Sequence, residues 1–266
     1  MTWGDGTLIA LAGLVAGLIN VMVGSGTLVT FPTLLALGYP PLVANVSNTV
    51  GLVPGSLAGV VGYRRELRDQ RTRVLRLAVA SLIGAIAGAV LLLTLPSAAF
   101  DAVVPVLIGL GVLLVAIQPW VTTRLKDRSE RRALVAAGGD RDAVQQAVKP
   151  HGSTLVWVLV LLTGVYGGYF GAAQGVLLLA VMGIGIGDDM QRLNAVKNLL
   201  ALVVNGVAGV IFIARADVDW RVVALIAGGS VIGGLIGARV GRSLPPLAFR
   251  AFVVVVGVVA ILALVL

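Results

Sequence analysis

Asn45, Asn48, Thr49 and Ser56 interrupt an otherwise apolar run at spacings of three, four and seven residues. On a helix those spacings fall on one stripe. The positions 149 residues further on are Asn194, Lys197, Asn198 and Asn205, so the same stripe recurs and all four places stay polar. Amides and hydroxyls inside an apolar helix are costly and tend to face a cavity or the interior of a bundle. Two matched stripes predict one hydrophilic site between them, although the same groups could also bond neighbouring helices. Lys197 breaks the match. An ammonium among asparagines, with no carboxylate in its stripe, favours an anionic ligand over a cation, unless it pairs with Asp188 or Asp189 shortly before it.

A second feature is a pair of glycine breaks, Gly24-Ser25-Gly26-Thr27 and Gly171-Ala172-Ala173-Gln174-Gly175, each ahead of a short apolar run. Free backbone N–H groups at a helix start, aligned with the helix dipole, attract anions. Gly24, Ser25, Gly26, Asn48, Thr49, Gln174, Gly175, Lys197, Asn198 and Asn205 are therefore the candidate substrate-binding residues. Asn45 and Asn194 begin their stripes near the membrane surface and are expected to hold helices together.

The elements that must carry these residues follow from composition. Of 266 residues 58% are hydrophobic and 12% charged, with 35 glycines and 10 prolines, and the mean hydropathy is +1.03. That excludes a soluble enzyme and predicts an all-α polytopic membrane protein. Apolar runs fall near 7–23, 26–38, 42–63, 77–95 and 102–121, then near 155–173, 175–187, 192–214, 222–243 and 248–266. The runs after Gly26 and Gly175 are too short to span comfortably and read as half-helices that either cross or re-enter. At the offset of 149, Gly26 meets Gly175, Gly38 meets Gly187, Gly84 meets Gly233, Gly88 meets Gly237, and Leu95, Pro96 and Phe100 meet Leu244, Pro245 and Phe249. The expected organisation is a first transmembrane repeat over 1–121, a cytoplasmic linker over 122–153 and a second repeat over 154–266. A short surface helix is expected before Gly138.

Charge sets the orientation. Arg64 to Arg76 carries six arginines against Glu66 and Asp69, and the linker is basic, so both belong in the cytoplasm. In the second half the loop equivalent to the first is acidic, with Asp217 and Asp219, and the basic residues Arg239, Arg242 and Arg250 have moved to the other end. A bias that reverses between halves predicts inverted-topology repeats of about five segments each. The opening MTWGDG has no basic stretch, so the first helix is expected to persist. The net charge of +8 is a topology signal here, with no nucleic acid implied.

The sequence has no cysteine and a single histidine, His151, placed in the linker, so neither a metal centre nor any other cofactor is expected. Hydrolase, zinc-protease and ATPase motifs are lacking, so an ion gradient or the substrate's own gradient must drive any transport. The expected partners are a small anionic substrate and the lipid bilayer, with a coupling proton or sodium ion and a homo-oligomer both compatible with the sequence. A cation or metal carrier, a passive channel and a non-transporting scaffold are the alternatives.

The stretches GLINVMVGSGTLVTFPTLLALGYPPLVANVSNTV and GGYFGAAQGVLLLAVMGIGIGDDMQRLNAVKNLL together resemble the TauE/SafE family of sulfite and organosulfonate exporters. The halves of that family open with a glycine-rich break, a short helix often containing proline, and a helix bearing Asn or Thr. The resemblance implies a secondary transporter moving sulfite, a sulfonate or a related sulfur oxyanion outward across a bacterial plasma membrane. It points to Gly24, Ser25, Gly26 and Asn48 in one half and Gln174, Gly175, Lys197 and Asn198 in the other. The chain departs from the family pattern with GSGT and GAAQG in place of a glycine triplet, and with Val181 where Pro32 stands in the first half.

Overall fold

The computed structural model describes residues 1–137, 152–186, 188–240, 251, 253–259 and 262. Every regular element among them is a helix: α1 Trp3–Met22, α2 Thr27–Ala36, α3 Pro41–Gly62, α4 Arg71–Thr94, α5 Ser97–Ala137, α6 Thr154–Tyr169, α7 Gln174–Gly185, α8 Met190–Arg215 and α9 Trp220–Val240. Residues 253–259 are helical too, and Gly257 lies against Val112 of α5. Five helices hold a stretch long and apolar enough to cross a bilayer: α1, α4, α8, α9 and the Ser97–Val121 part of α5. The helix expected as a separate piece before Gly138 is instead the continuation of α5, which runs unbroken to Ala137. His151, Gly187, Arg242, Leu244, Pro245, Phe249 and Arg250, invoked above, lie outside the described residues.

The two halves are built alike. Met190 opens α8 149 residues after Pro41 opens α3, and Trp220 opens α9 149 residues after Arg71 opens α4. Ahead of them the correspondence shifts by two residues. Gln174 opens α7 147 residues after Thr27 opens α2. Gly24 and Gly171, with φ of +86° and +78°, likewise end α1 and α6 by the same turn, each N–H reaching a carbonyl five residues back, in Ile19 and Tyr166. The expected pairing of Gly26 with Gly175 is thus corrected. Gly26 corresponds to Ala173, which itself takes a left-handed φ of +58°, and Gly175 lies inside α7 and not in the break.

Helix starts reveal direction. The Asp219 N–H, just before α9, donates to Ser47 Oγ near the start of α3 at 2.9 Å, and Gly6 in the first turn of α1 stands beside Leu225 of α9. The starts of α1, α3 and α9 therefore share one end. At the other end Asp188, just before α8, binds Arg73 of α4 and Arg192 of α8, while Arg76 donates to Gly152 O at 3.0 Å and Trp157 Nε1 to Arg76 O at 3.1 Å. The starts of α4, α6 and α8 gather there. Because α1 and α3 begin at the same end, α1 goes in and α2 comes back; α6 and α7 do the same from the opposite end. Each short segment thus returns the chain toward the end from which its pair began. Helices α3 and α8 pack antiparallel, since Tyr63 at the end of α3 meets Ala195 near the start of α8.

The tightest seams join the halves. Helix α1 lies along α9 and α6 along α4, both in parallel sense, through small residues that let backbones touch. A Cβ placed on Gly13 would stand 2.9 Å from the Ile226 backbone, and one on Gly164 3.0 Å from the Ser81 carbonyl. Aromatic edges then clamp α2, α5 and the end of α6, with Phe31 against Phe170 at 5.0 Å and Phe100 against Tyr169 at 5.7 Å between ring centroids.

Burial pushes the Asp188 carboxyl up, but hydrogen bonds from Arg73 and the Asp189 N–H, with the charges of Arg73 and Arg192, outweigh it and hold the group below the usual carboxylate range. The stabilisation this gives is complete where the unfolded carboxyl is ionised, above about pH 4, and is lost as pH falls through the lower folded value. Thermal midpoints measured from pH 7 down to pH 3.5 should fall on the acid side. Asp188→Asn should start lower at pH 7 and lose part of that acid dependence; an unchanged profile would remove Asp188 as its source.

Candidate functional site

The two turns at the ends of α1 and α6 meet inside the bundle. The Gly175 N–H donates to Gly24 O at 3.0 Å, and a Cβ on either glycine would overlap the other's Cα. Glycine is required at Gly24 twice over, by this approach and by its positive φ. The Lys197 stem lies against Gly175, its Cδ 3.1 Å from where a Cβ would stand.

The Lys197 side chain is fully buried. Its Nζ donates to the carbonyls of Asn20 at 3.2 Å and Val21 at 2.9 Å, in the last turn of α1. Those carbonyls have no partner in their own helix and form the negative end of its dipole. Lys197 therefore caps α1. It pairs with neither Asp188, which is held by Arg73 and Arg192, nor Asp189, whose carboxylate accepts from the Gln191 N–H at the start of α8. Two of its three N–H bonds are used, and no aspartate or glutamate is among the described buried residues.

A cap on the other side comes from a different position of the repeat, since Asn45 corresponds to Asn194 and not to Lys197. Asn45 Nδ2 donates to Tyr169 O at 3.0 Å, the last residue of α6, so Asn45 holds helices together as its position suggested. Each of α3 and α8 thereby ties down the end of the other half's first helix. Midway along both, Asn205 Nδ2 stands 3.5 Å from Ser56 Oγ. These two residues lie 149 positions apart, one on α3 and the other on α8.

The candidate residues divide into groups. Gly175 stands against both Gly24 and the Lys197 stem, with Ser25 next to Gly24 in the chain, and Asn20 links Lys197 through Ser56 to Asn205: its carbonyl accepts from Lys197 while its Nδ2 donates to Ser56 Oγ at 3.4 Å. Asn48 is engaged elsewhere, donating to Thr27 Oγ1 at 3.3 Å and accepting from Thr30 Oγ1. Thr49 bonds its own helix through Asn45 O. Gln174 lies over Gly167, which is 147 residues after Asn20, so its amide fills the place that the Asn20 side chain occupies in the first half. Gln174 Nε2, Asn198 Nδ2 and the Ser25 hydroxyl are buried without a partner.

Both breaks leave backbone amides that reach no acceptor among the described residues, Ala172 and Ala173 ahead of α7 and their counterparts Ser25 and Gly26 ahead of α2. In α7 the amides of Gln174, Gly175 and Val176 donate to Gly171 O, Gly24 O and Ala173 O. In the first half the amides of Ser25, Gly26 and Thr27 reach no acceptor among the described residues. Unfilled donors at the positive end of α2, beside a lysine with no counter-ion, form an electropositive interior suited to an oxyanion.

The sequence reading missed Asn20, Thr27 and Thr30. Asn20 is an amide inside an apolar run, which is itself a signal, but its repeat counterpart is glycine and a search for matched polar pairs passes over it.

The fold is an all-helical bundle with five helices long and apolar enough to cross a bilayer and a short helix after each glycine break, and the Sulfite exporter TauE/SafE family model matches residues 9–264. The chain belongs to the TauE/SafE family of membrane transporters. It is similar to a probable membrane transporter protein of Haemophilus influenzae, 22% identical over 91% of this chain and 88% of that one. It is also similar to the probable membrane transporter protein ORF9 of a Sinorhizobium species, 27% identical over 86% and 80%. The probable membrane transporter protein YfcA of Escherichia coli K12 is 24% identical over 92% and 84%. No solved structure matches the chain.

Proposed function

We propose that the protein is an inverted-repeat secondary transporter that exports a small oxyanion, sulfite, a sulfonate or a relative of these, across a bacterial plasma membrane by alternating access. The observation that carries this reading is the buried ammonium of Lys197 with no buried carboxylate beside it. A cation site would need acceptors; the stripes leave two unfilled, Asn45 Oδ1 and Asn194 Oδ1, against a larger set of unfilled groups that can donate, the Ser25 hydroxyl, the backbone N–H groups of Ser25, Gly26 and Thr27, and the side-chain amides of Gln174 and Asn198. The antiparallel α3 and α8, and the α1–α2 and α6–α7 pairs that start from opposite ends, support inverted topology. The burial of Ser25, Asn48 and Lys197 fits an occluded state, from which either side could open.

Labelled sulfite uptake into proteoliposomes, with sulfate and sulfonates as competitors, tests the reading. Saturable flux competed by sulfonate but little by sulfate is expected. Ser25→Ala deletes one donor to the anion and little volume. A hydrogen bond to a charged partner is worth about 1.5–3 kcal/mol, so KM should rise at least about tenfold. Flux that follows a cation, or fails to saturate, would replace the exporter with a cation carrier or a channel.

A further inference from the structure

At the end of the molecule that carries the arginine-rich loop, the surface between the last turns of α3 and α9 sinks into a pocket of about 330 Å³. Its walls include Val61 and Leu235, 46% and 43% exposed on the outer surface of the bundle. Its rim carries Arg64, Arg65 and Arg239, all exposed, and none has an ion-pair partner among the described residues. Below, Gly62 closes onto the Ala238 methyl, so the pocket has a packed floor.

The internal repeat provides a control. Helices α8 and α4 pack together as α3 and α9 do. The residues that correspond to Val61, Arg64 and Arg65 in α8 are Val210, Ile213 and Ala214, and those that correspond to Leu235 and Arg239 in α4 are Ile86 and Val90. The same helix pairing is thus built at the other end with no arginine at these positions; Arg215, the last residue of α8, stands one place further on and lines a hollow there together with Asp217. Packing does not demand the three cations, and their convergence on one hollow at a single end needs another cause.

We propose that this pocket binds the phosphodiester headgroup of an anionic phospholipid. Three guanidinium groups present forked donors matched to phosphate oxygens, and a basic hollow between spanning helices on the cytoplasmic side is where such headgroups bind. Val61 and Leu235 then meet the acyl chains. The headgroup bridges α3, from the first half, to α9, from the second. This site is independent of which substrate the protein carries.

Native mass spectrometry of the full-length protein, with phosphatidylglycerol and phosphatidylcholine added in turn, tests it. The protein should hold phosphatidylglycerol at least tenfold more tightly than phosphatidylcholine. Joint replacement Arg64→Gln, Arg65→Gln and Arg239→Gln should bring the two lipids level, whereas lysine at all three positions should keep part of the preference. Equal retention of both lipids by the unchanged protein would overturn the proposal, whatever the variant does. So would a folded triple-glutamine variant that keeps the preference. Full displacement of phosphatidylglycerol by millimolar inorganic phosphate would assign the pocket to free phosphate instead.

Discussion

Lys197→Met should abolish oxyanion flux, a loss of at least a hundredfold, and lower the thermal midpoint. Methionine keeps an unbranched stem to lie against Gly175 but has no donor, so the carbonyls of Asn20 and Val21 lose their only side-chain partner. Leaving a buried acceptor unsatisfied costs about 1–3 kcal/mol. Both effects arise at one atom, Nζ, and they can be separated. Ser25→Ala touches no cap, so it weakens transport without lowering the midpoint, whereas Asn45→Ala removes the cap on α6 and lowers the midpoint. A Lys197→Met protein that still carries sulfite at the normal rate would leave the ammonium a purely structural cap and move the anion site elsewhere. Lys197→Arg should also fail, because the space around a fully buried ammonium does not admit the larger planar guanidinium.

Gly24→Ala and Gly175→Ala should each prevent stable accumulation of the protein in membranes. At Gly24 the positive φ alone costs about 1–2 kcal/mol for a residue with a Cβ, and at both positions the added carbon meets opposing backbone, which has no rotamer by which to yield. Gly206→Ala and Gly228→Ala are the controls. A Cβ on either meets nothing within 4 Å, so alanine should leave the midpoint unchanged or raise it through its better helix propensity, worth about 1 kcal/mol. Accumulation in membranes, measured for the four variants side by side, checks the contrast. Equal loss in all four would mean that glycine content, and not the contact between the turns, is what matters.

Much of this was legible in the sequence because a bilayer imposes few solutions. The apolar runs gave α1, α3, α4, α8 and α9 to within a few residues, and the polar stripe named Lys197 and the Ser56–Asn205 mates before any contact was visible. What stayed hidden had physical reasons. A fixed offset of 149 could not expose a shift to 147 around Gly24 and Gly171, since the neighbouring Gly26 and Gly175 also happened to coincide. The left-handed turn at Ala173 is invisible to a rule that looks for glycine. Lys197 was read as a free charge, yet it lies where the end of α1 needs donors, and only the direction of α1 relative to α8 reveals that. That α2 brings the chain back toward the end where α1 began depends on which helix starts share an end, and contacts such as Ser47 with Asp219 carry that information.

The pairing of α1 with α9 and of α4 with α6 bears on how the protein is made. Gly13 opens a groove whose filler, Ile226, is synthesised almost at the end of the chain, so the first helix leaves the insertion machinery with its closest seam exposed to lipid. The N-terminal half must remain in the bilayer as an open intermediate until the C-terminal half arrives to complete it, and a ribosome that stops in the linker leaves a fragment with α1 and α4 both unmatched. Cutting the gene within the linker should accordingly give two polypeptides that quality-control proteases remove when each is expressed alone and that survive when both are made in the same cell.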